Sequence, residues 1–236
     1  VDELEFLDGE MEDNEMVGFK NVYDGEKFRS MLRGRHDVNP FDGIDDASLF
    51  EASKPLISRI IHSEIPYFIF METINTHLKG YKTRACHDMG FEQETQADIV
   101  KCEDKIVYDF VSWFMKQDPD AAVILINDHN QRAGDTIDKI PQTENRNLVN
   151  VFANTSVFDG TDLNRPVAVM DFFPTIIEVA GGEIRGCRLG LGTALTTRCA
   201  KTRTLREKFG DTELEMLMEQ ENDLYHRLSS GTDKSK

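Results

Sequence analysis

The sequence predicts an α/β fold, a sheet flanked by helices. Two observations carry this: short apolar runs alternate with segments of helical period, and the runs are apolar on both faces. In such sheets ligands sit beyond the carboxyl ends of the strands. Two of those ends here are rich in polar chemistry, Thr73-Ile74-Asn75-Thr76-His77 and Asn127-Asp128-His129.

Taken in chain order, residues 1–25 are acidic and punctuated by Gly9, Gly18 and Gly25, which predicts loop with one short strand near Leu4–Leu7. Ala47 to His62 places Leu49, Phe50, Leu56, Ile57, Ile60 and Ile61 at helical spacing, with Pro55 read as early in that helix. Pro66-Tyr67-Phe68-Ile69-Phe70-Met71 reads as a buried strand. Ile106, Val107, Phe110, Val111 and Phe114 mark a helix over Ile99 to Met115. Ala121–Ile126 is a second buried strand and Leu148–Ala153 a third. Val167–Met170 leads through Asp171 into a helix that opens at Pro174 and closes at Gly181-Gly182, the expected Pro-first, Gly-last asymmetry. Thr204 to Ser229 reads as a charged helix and 230–236 as a frayed, disordered tail.

The 236 residues give one ample domain or two small ones, and a 39% apolar content makes the chain globular. Its 43 acids against 27 bases leave a net charge of -16. That balance excludes a duplex-binding surface, which needs clustered Lys and Arg, and disfavours a polybasic membrane segment. Residues 1–26 alone carry ten acids and one base. No signal-peptide pattern follows Val1, and no apolar run approaches the ~20 residues that span a bilayer, so a soluble stretch is expected. Because the chain starts on Val, it is read as a piece of something longer.

Cys86, Cys102, Cys187 and Cys199 form no C-x-x-C pair, which argues against a zinc ribbon or a thioredoxin-like motif. Their spacing admits two local disulfides in an oxidising compartment, and equally four reduced thiols in the cytosol.

Asp128 and His129, side by side after an apolar strand, can turn toward one ion, and their oxygen and nitrogen donors suit zinc or manganese better than calcium. An isolated Asp-His is more often a cap or a surface pair. His77 follows its strand in the same way, and alone it reads as a hydrogen-bonded loop residue. His36, His62, His87 and His226 read as surface residues. Leu189-Gly190-Leu191-Gly192 lacks the third Gly of G-x-G-x-x-G and the Lys of a P-loop, so it reads as a structural turn.

Two of these segments, the strand ending in Asp128-His129 and the Asp171-Phe172-Phe173-Pro174-Thr175 turn into a helix, resemble motifs of the sulfatase and alkaline-phosphatase superfamily. Further segments resemble its phosphoglycerol transferase I and lipoteichoic-acid-synthase branch. They are Gly43-Ile44-Asp45-Asp46 with Leu49-Phe50, Pro66 through Thr76-His77, Gly80-Tyr81 before Cys86 and Cys102, Arg146-Asn147-Leu148, and Gly190-Leu191-Gly192. The likeness runs from about residue 6 to 228.

The resemblance implies a mixed, mostly parallel sheet flanked by helices, incomplete at its N-terminus, with residues 1–229 as the C-terminal portion of a transferase domain. It implies Asp128 and His129 as ligands of one divalent cation, manganese or zinc, and His77 as a contact of the transferring phosphate. Asn14, beside the Phe6-Leu7-Asp8-Gly9 strand end, falls in the region that lines the substrate pocket. It also favours a Cys86–Cys102 bridge, since the family acts outside the cytoplasm. The implied reaction passes a phospholipid head group through a phospho-Thr intermediate to a glycan or polymer acceptor. The implied location is periplasmic or on the outer membrane face, with a membrane anchor in a region before Val1.

Departures from the pattern bear on activity. The family's nucleophilic Thr and Glu ligand precede the segment matching Phe6–Gly9; residues 1–5 offer no Thr, and neither Glu3 nor Glu5 is assigned the ligand role. Asn127 stands where the family has Ser, and Asn130 where it commonly has Gly. The chain alone is expected not to turn over. The alternatives are a sulfatase-type hydrolase and a non-catalytic relative that binds an anionic glycan or lipid head group.

Overall fold

The computed structural model describes residues 2–6, 19, 21–34, 37, 43–63, 65–77, 80–131, 137–141 and 146–219. Asn14, the Asp8-Gly9 strand end and the expected tail at 230–236 lie outside them. The chain divides into two compact units, Val1–Val151 and Phe152–Lys236.

In the first unit, strands β1 (Asp2–Phe6), β2 (Asn21–Tyr23) and β3 (Tyr67–Met71) form a parallel sheet in the order β2-β1-β3. Glu3 pairs with Phe68 and Glu5 with both Val22 and Phe70. Parallel strands are not joined by tight hairpins, and the chain from β2 to β3 runs through helices α1 (Gly25–Leu32) and α2 (Asp46–Ile61). The expected strand at 66–71 is present, but it alternates in burial: Phe68 and Phe70 are exposed while Tyr67, Ile69 and Met71 are partly covered. Every residue of that run is apolar, so its sequence hides the two-residue period of a half-covered strand.

Helix α2 is capped by Asp45, whose carboxylate accepts from the Ser48 amide at 3.1 Å. Pro55 lies well inside α2 rather than early in it. It sits on an exposed position, where solvent can satisfy the acceptor that its missing N–H abandons. Helix α3 (Arg84–Asp88) is a short turn, and α4 (Gln96–Gln117) opens on a Thr95–Asp98 capping box. Phe50 of α2 stacks on Phe110 of α4 at 4.2 Å, in a core with Phe28, Ile44, Leu49, Leu56, Ile57 and Ile106. The Cys86–Cys102 disulfide fastens α3 to α4 within that core.

Strand β4 covers only Val123–Leu125 of the expected run, and none of its residues is buried. Strand β5 (Val151–Ala153) falls where the first unit ends.

The second unit contains α5 (Phe172–Val179), the antiparallel hairpin β6 (Arg188–Leu189) and β7 (Gly192–Thr193), and α6 (Leu205–Met218). The expected structural turn at Leu189–Gly192 is the tip of this hairpin. A second disulfide, Cys187–Cys199, closes it. Helix α5 begins at Phe172, two residues before Pro174, which still falls in the first turn where no N–H partner exists to lose. Helix α6 is broken at Gly210, whose φ of 72° departs from helix, and of the span expected to Ser229, residues 220–229 lie outside the described residues.

Candidate functional site

The turn after β3 is held from beneath. The Asp46 carboxylate, at the first helical position of α2, accepts from the amides of Ile74 at 2.9 Å and Asn75 at 3.1 Å. The Asn75 side chain, fully buried, donates to Glu103 Oε1 on α4 at 2.8 Å. Backbone bonds continue the turn, with His77 N–H donating to Ile74 O at 2.8 Å and Tyr81 N–H to Asn75 O at 2.9 Å. Gly80, at φ +69°, lets the chain close over α4: a Cβ there would lie 2.7 Å from Ile99 Cδ1. His77 itself is exposed at the top of this pinned turn.

Burial pushes the Asp46 carboxyl well above the usual carboxylate range, with the neighbouring Glu103 charge adding to it. Burial raises Glu103 as well, against the lowering effect of its bonds from Asn75 and Asp46. Sequence reading missed Glu103. A signal was there: it lies four residues after Ile99 and three before Ile106, so an acid occupies the apolar stripe of α4.

Asp128 and His129 occupy the bend two residues beyond β4. Their side chains are 82% and 51% exposed, so an ion in solvent reaches both. His129 Nε2 stands 3.1 Å from Asp128 Oδ2, while the His129 amide donates to Oδ1 at 2.7 Å. Arg146 closes the following loop, its guanidinium donating to Gln131 O at 2.7 Å and its carbonyl accepting from Asn130 Nδ2 at 3.0 Å. The structure therefore brings the predicted pair together. Among the described residues no third His, Cys, Asp or Glu joins them within 4.8 Å, His77 included. The one such trio, Cys86, Cys102 and Glu103, has both sulfurs committed to the disulfide. A carboxylate and an imidazole converging in this way fit zinc or manganese as two members of a larger donor set.

The Asp-x-x-Pro-Thr turn does structural work in the second unit. Asp171, 1% exposed, accepts from the amides of Ala168 at 2.9 Å and Thr193 at 2.7 Å. Burial raises its carboxyl, and those two amides with Arg165 and Arg188 act in the opposite direction. Thr175 Oγ1 donates to Asp171 O at 2.5 Å and accepts from the Leu195 amide at 3.0 Å. One turn on, Glu178 accepts from Thr196 and Arg198. The motif ties α5 to the hairpin through buried hydrogen bonds.

Set beside solved structures, the chain has the α/β fold of the alkaline phosphatase superfamily, which agrees with the resemblance carried by the motifs. A superfamily protein from Vibrio parahaemolyticus matches with a TM-score of 0.52 and 18% identity, over 80% of this chain and 48% of that one. The lipoteichoic acid synthase LtaP from Listeria monocytogenes matches with a TM-score of 0.49 and 15% identity, over 77% of this chain and 50% of that one. The chain thus spans about half the length of the structures it matches. No family model and no curated protein matches it.

Proposed function

We propose that the chain is part of a metal-dependent, extracytoplasmic transferase. It moves phosphoglycerol, or a related phospholipid head group, to a glycan or polymer acceptor. The observation that carries this reading is the exposed Asp128–His129 pair at a strand end of an alkaline-phosphatase-superfamily fold. Asp128 and His129 would hold one divalent cation, manganese or zinc. When bound, that ion offsets the charge of the transferring phosphoryl group and activates a hydroxyl nucleophile. His77 hydrogen-bonds a phosphoryl oxygen or protonates the leaving group from its anchored turn.

Two disulfides support an oxidising location. Among the described residues no helix is long and apolar enough to cross a membrane. By the resemblance, the anchor is assigned to a region outside this chain. The nucleophilic Thr of a phospho-Thr intermediate is assigned there too.

In the full-length protein, Asp128→Ala abolishes calorimetrically detected manganese or zinc binding. It also lowers head-group transfer from phosphatidylglycerol by more than the roughly 100-fold that losing an outer-shell metal partner costs. Unchanged transfer in that variant refutes the proposal. Sulfate-ester hydrolysis without head-group transfer assigns the chain to a sulfatase instead. A second reading is a non-catalytic relative that binds anionic glycans or lipid head groups. Intact protein that binds neither metal supports that reading.

A further inference from the structure

Beneath the His77 turn lies a carboxyl pair that the proposed chemistry does not use. Asp46 is 2% exposed and Glu103 4%, and Asn75 joins them, its amide donating to Asp46 at 3.1 Å and its side chain to Glu103 Oε1 at 2.8 Å. Glu103 Oε1 is occupied by Asn75, but Oε2 is sealed from solvent and receives no N–H or O–H donor from protein. Two ionised carboxylates in contact repel, and a buried carboxylate oxygen without a donor loses its hydration uncompensated. A single proton between Asp46 and Glu103 Oε2 removes both penalties. Among the described residues the surrounding charges offer no other remedy. Asp45 adds a third acid, its own carboxylate already engaged by Ser48 and the Asp37 amide. Helix α3 contributes Cys86 Sγ, 3.9 Å from Glu103 Oε1, and its Arg84, His87 and Asp88 are exposed. Lys101 and Asp104 on α4, and Glu72, His77 and Lys82 along the loop, are exposed as well, with Tyr81 part-buried.

We propose that Asp46 and Glu103 are positioning residues for His77: sharing one proton, they clamp the Ile74–Asn75 turn, and losing that proton as pH rises releases it. The clamp's meaning for transfer rests on His77 contacting phosphate; the clamp itself does not. The sign follows from linkage. Carboxyls raised in the folded state stabilise it below their unfolded values, and the contribution fades as pH rises through the folded ones. The two groups titrate as a unit.

Amide hydrogen exchange by NMR on the intact chain, corrected for intrinsic rates, tests this from about pH 5 to about pH 9. Protection of the Ile74 and Asn75 amides is expected to fall about tenfold or more toward the alkaline end. Glu103→Gln, whose amide supplies a permanent donor while its carbonyl still accepts from Asn75, keeps protection level across the range. Asp46→Asn also flattens the profile, with one of the two amides less protected. A flat wild-type profile overturns the proposal, as does a Glu103→Gln profile that falls with the wild type. The phosphate reading is probed apart, by shifts of the His77 ring protons on adding glycerol 1-phosphate. No shift removes the role in transfer while the exchange result stands. A wild-type shift that weakens in step with lost protection, and does not weaken in Glu103→Gln, establishes positioning.

Discussion

Gly192→Ala destabilises the Phe152–Lys236 unit by about 3 kcal/mol, the upper end of what overpacking costs. A Cβ at Gly192 would lie 2.0 Å from Met170 O, 2.8 Å from Met170 C and 3.1 Å from Pro174 Cδ. These atoms have little freedom to retreat. Met170 belongs to the 3-10 turn that Asp171 fastens through the Ala168 amide, and Pro174 is buried in the first turn of α5. The hairpin must lift instead, which strips the Thr193 amide from Asp171 and the Leu195 amide from Thr175, both in buried positions. Gly190, two residues earlier at the hairpin tip, is the control. It has φ +57° but open space around it, so Gly190→Ala costs only the roughly 1–2 kcal/mol of a left-handed L-residue. Urea denaturation with exchange rates for Thr193 and Leu195 distinguishes the two. Equal midpoints for the two variants would contradict the steric argument.

Removing both disulfides has a comparable or larger effect. Cys86–Cys102 closes a separation of 16 residues and Cys187–Cys199 one of 12. In the chain-entropy model each contributes about 3 kcal/mol. Each bridge belongs to one unit, so the Cys86→Ser/Cys102→Ser variant weakens Val1–Val151 and the Cys187→Ser/Cys199→Ser variant weakens Phe152–Lys236. Residue-resolved exchange with and without reductant reads the two losses separately. Loss of protection confined to one unit after full reduction would show that the other bridge contributes nothing.

The helices were the most legible part of this fold because their apolar period is written in sequence: Leu49, Phe50, Leu56 and Ile57 predict α2, and Ile106 and Phe110 predict α4. The strands were legible as runs but not in their exposure, since a wholly apolar segment such as Tyr67–Met71 cannot say which side is covered. Gly210 carried no visible warning because a lone Gly is tolerated within helices; its positive φ is decided by the surrounding chain. At the site, Asp128 and His129 could be named because they are neighbours in sequence as well as in space. The Asp46–Asn75–Glu103 network could not, as its members lie 28 and 29 residues apart and meet only after α2 and α4 pack. The two cysteine pairings stood level with reduced thiols on spacing alone, and the resemblance favoured only the first of them.

Four cysteines can pair in three ways, and this chain adopts the sequential one, each cysteine joined to its neighbour along the chain. Biogenesis is simplified by that choice. A polypeptide delivered amino end first presents Cys86 and Cys102 to an oxidant before Cys187 arrives, and among these four cysteines the correct first bond is then the sole one available. The remaining two cysteines have only each other. Oxidation in order of emergence takes these four cysteines to their observed connectivity without reshuffling.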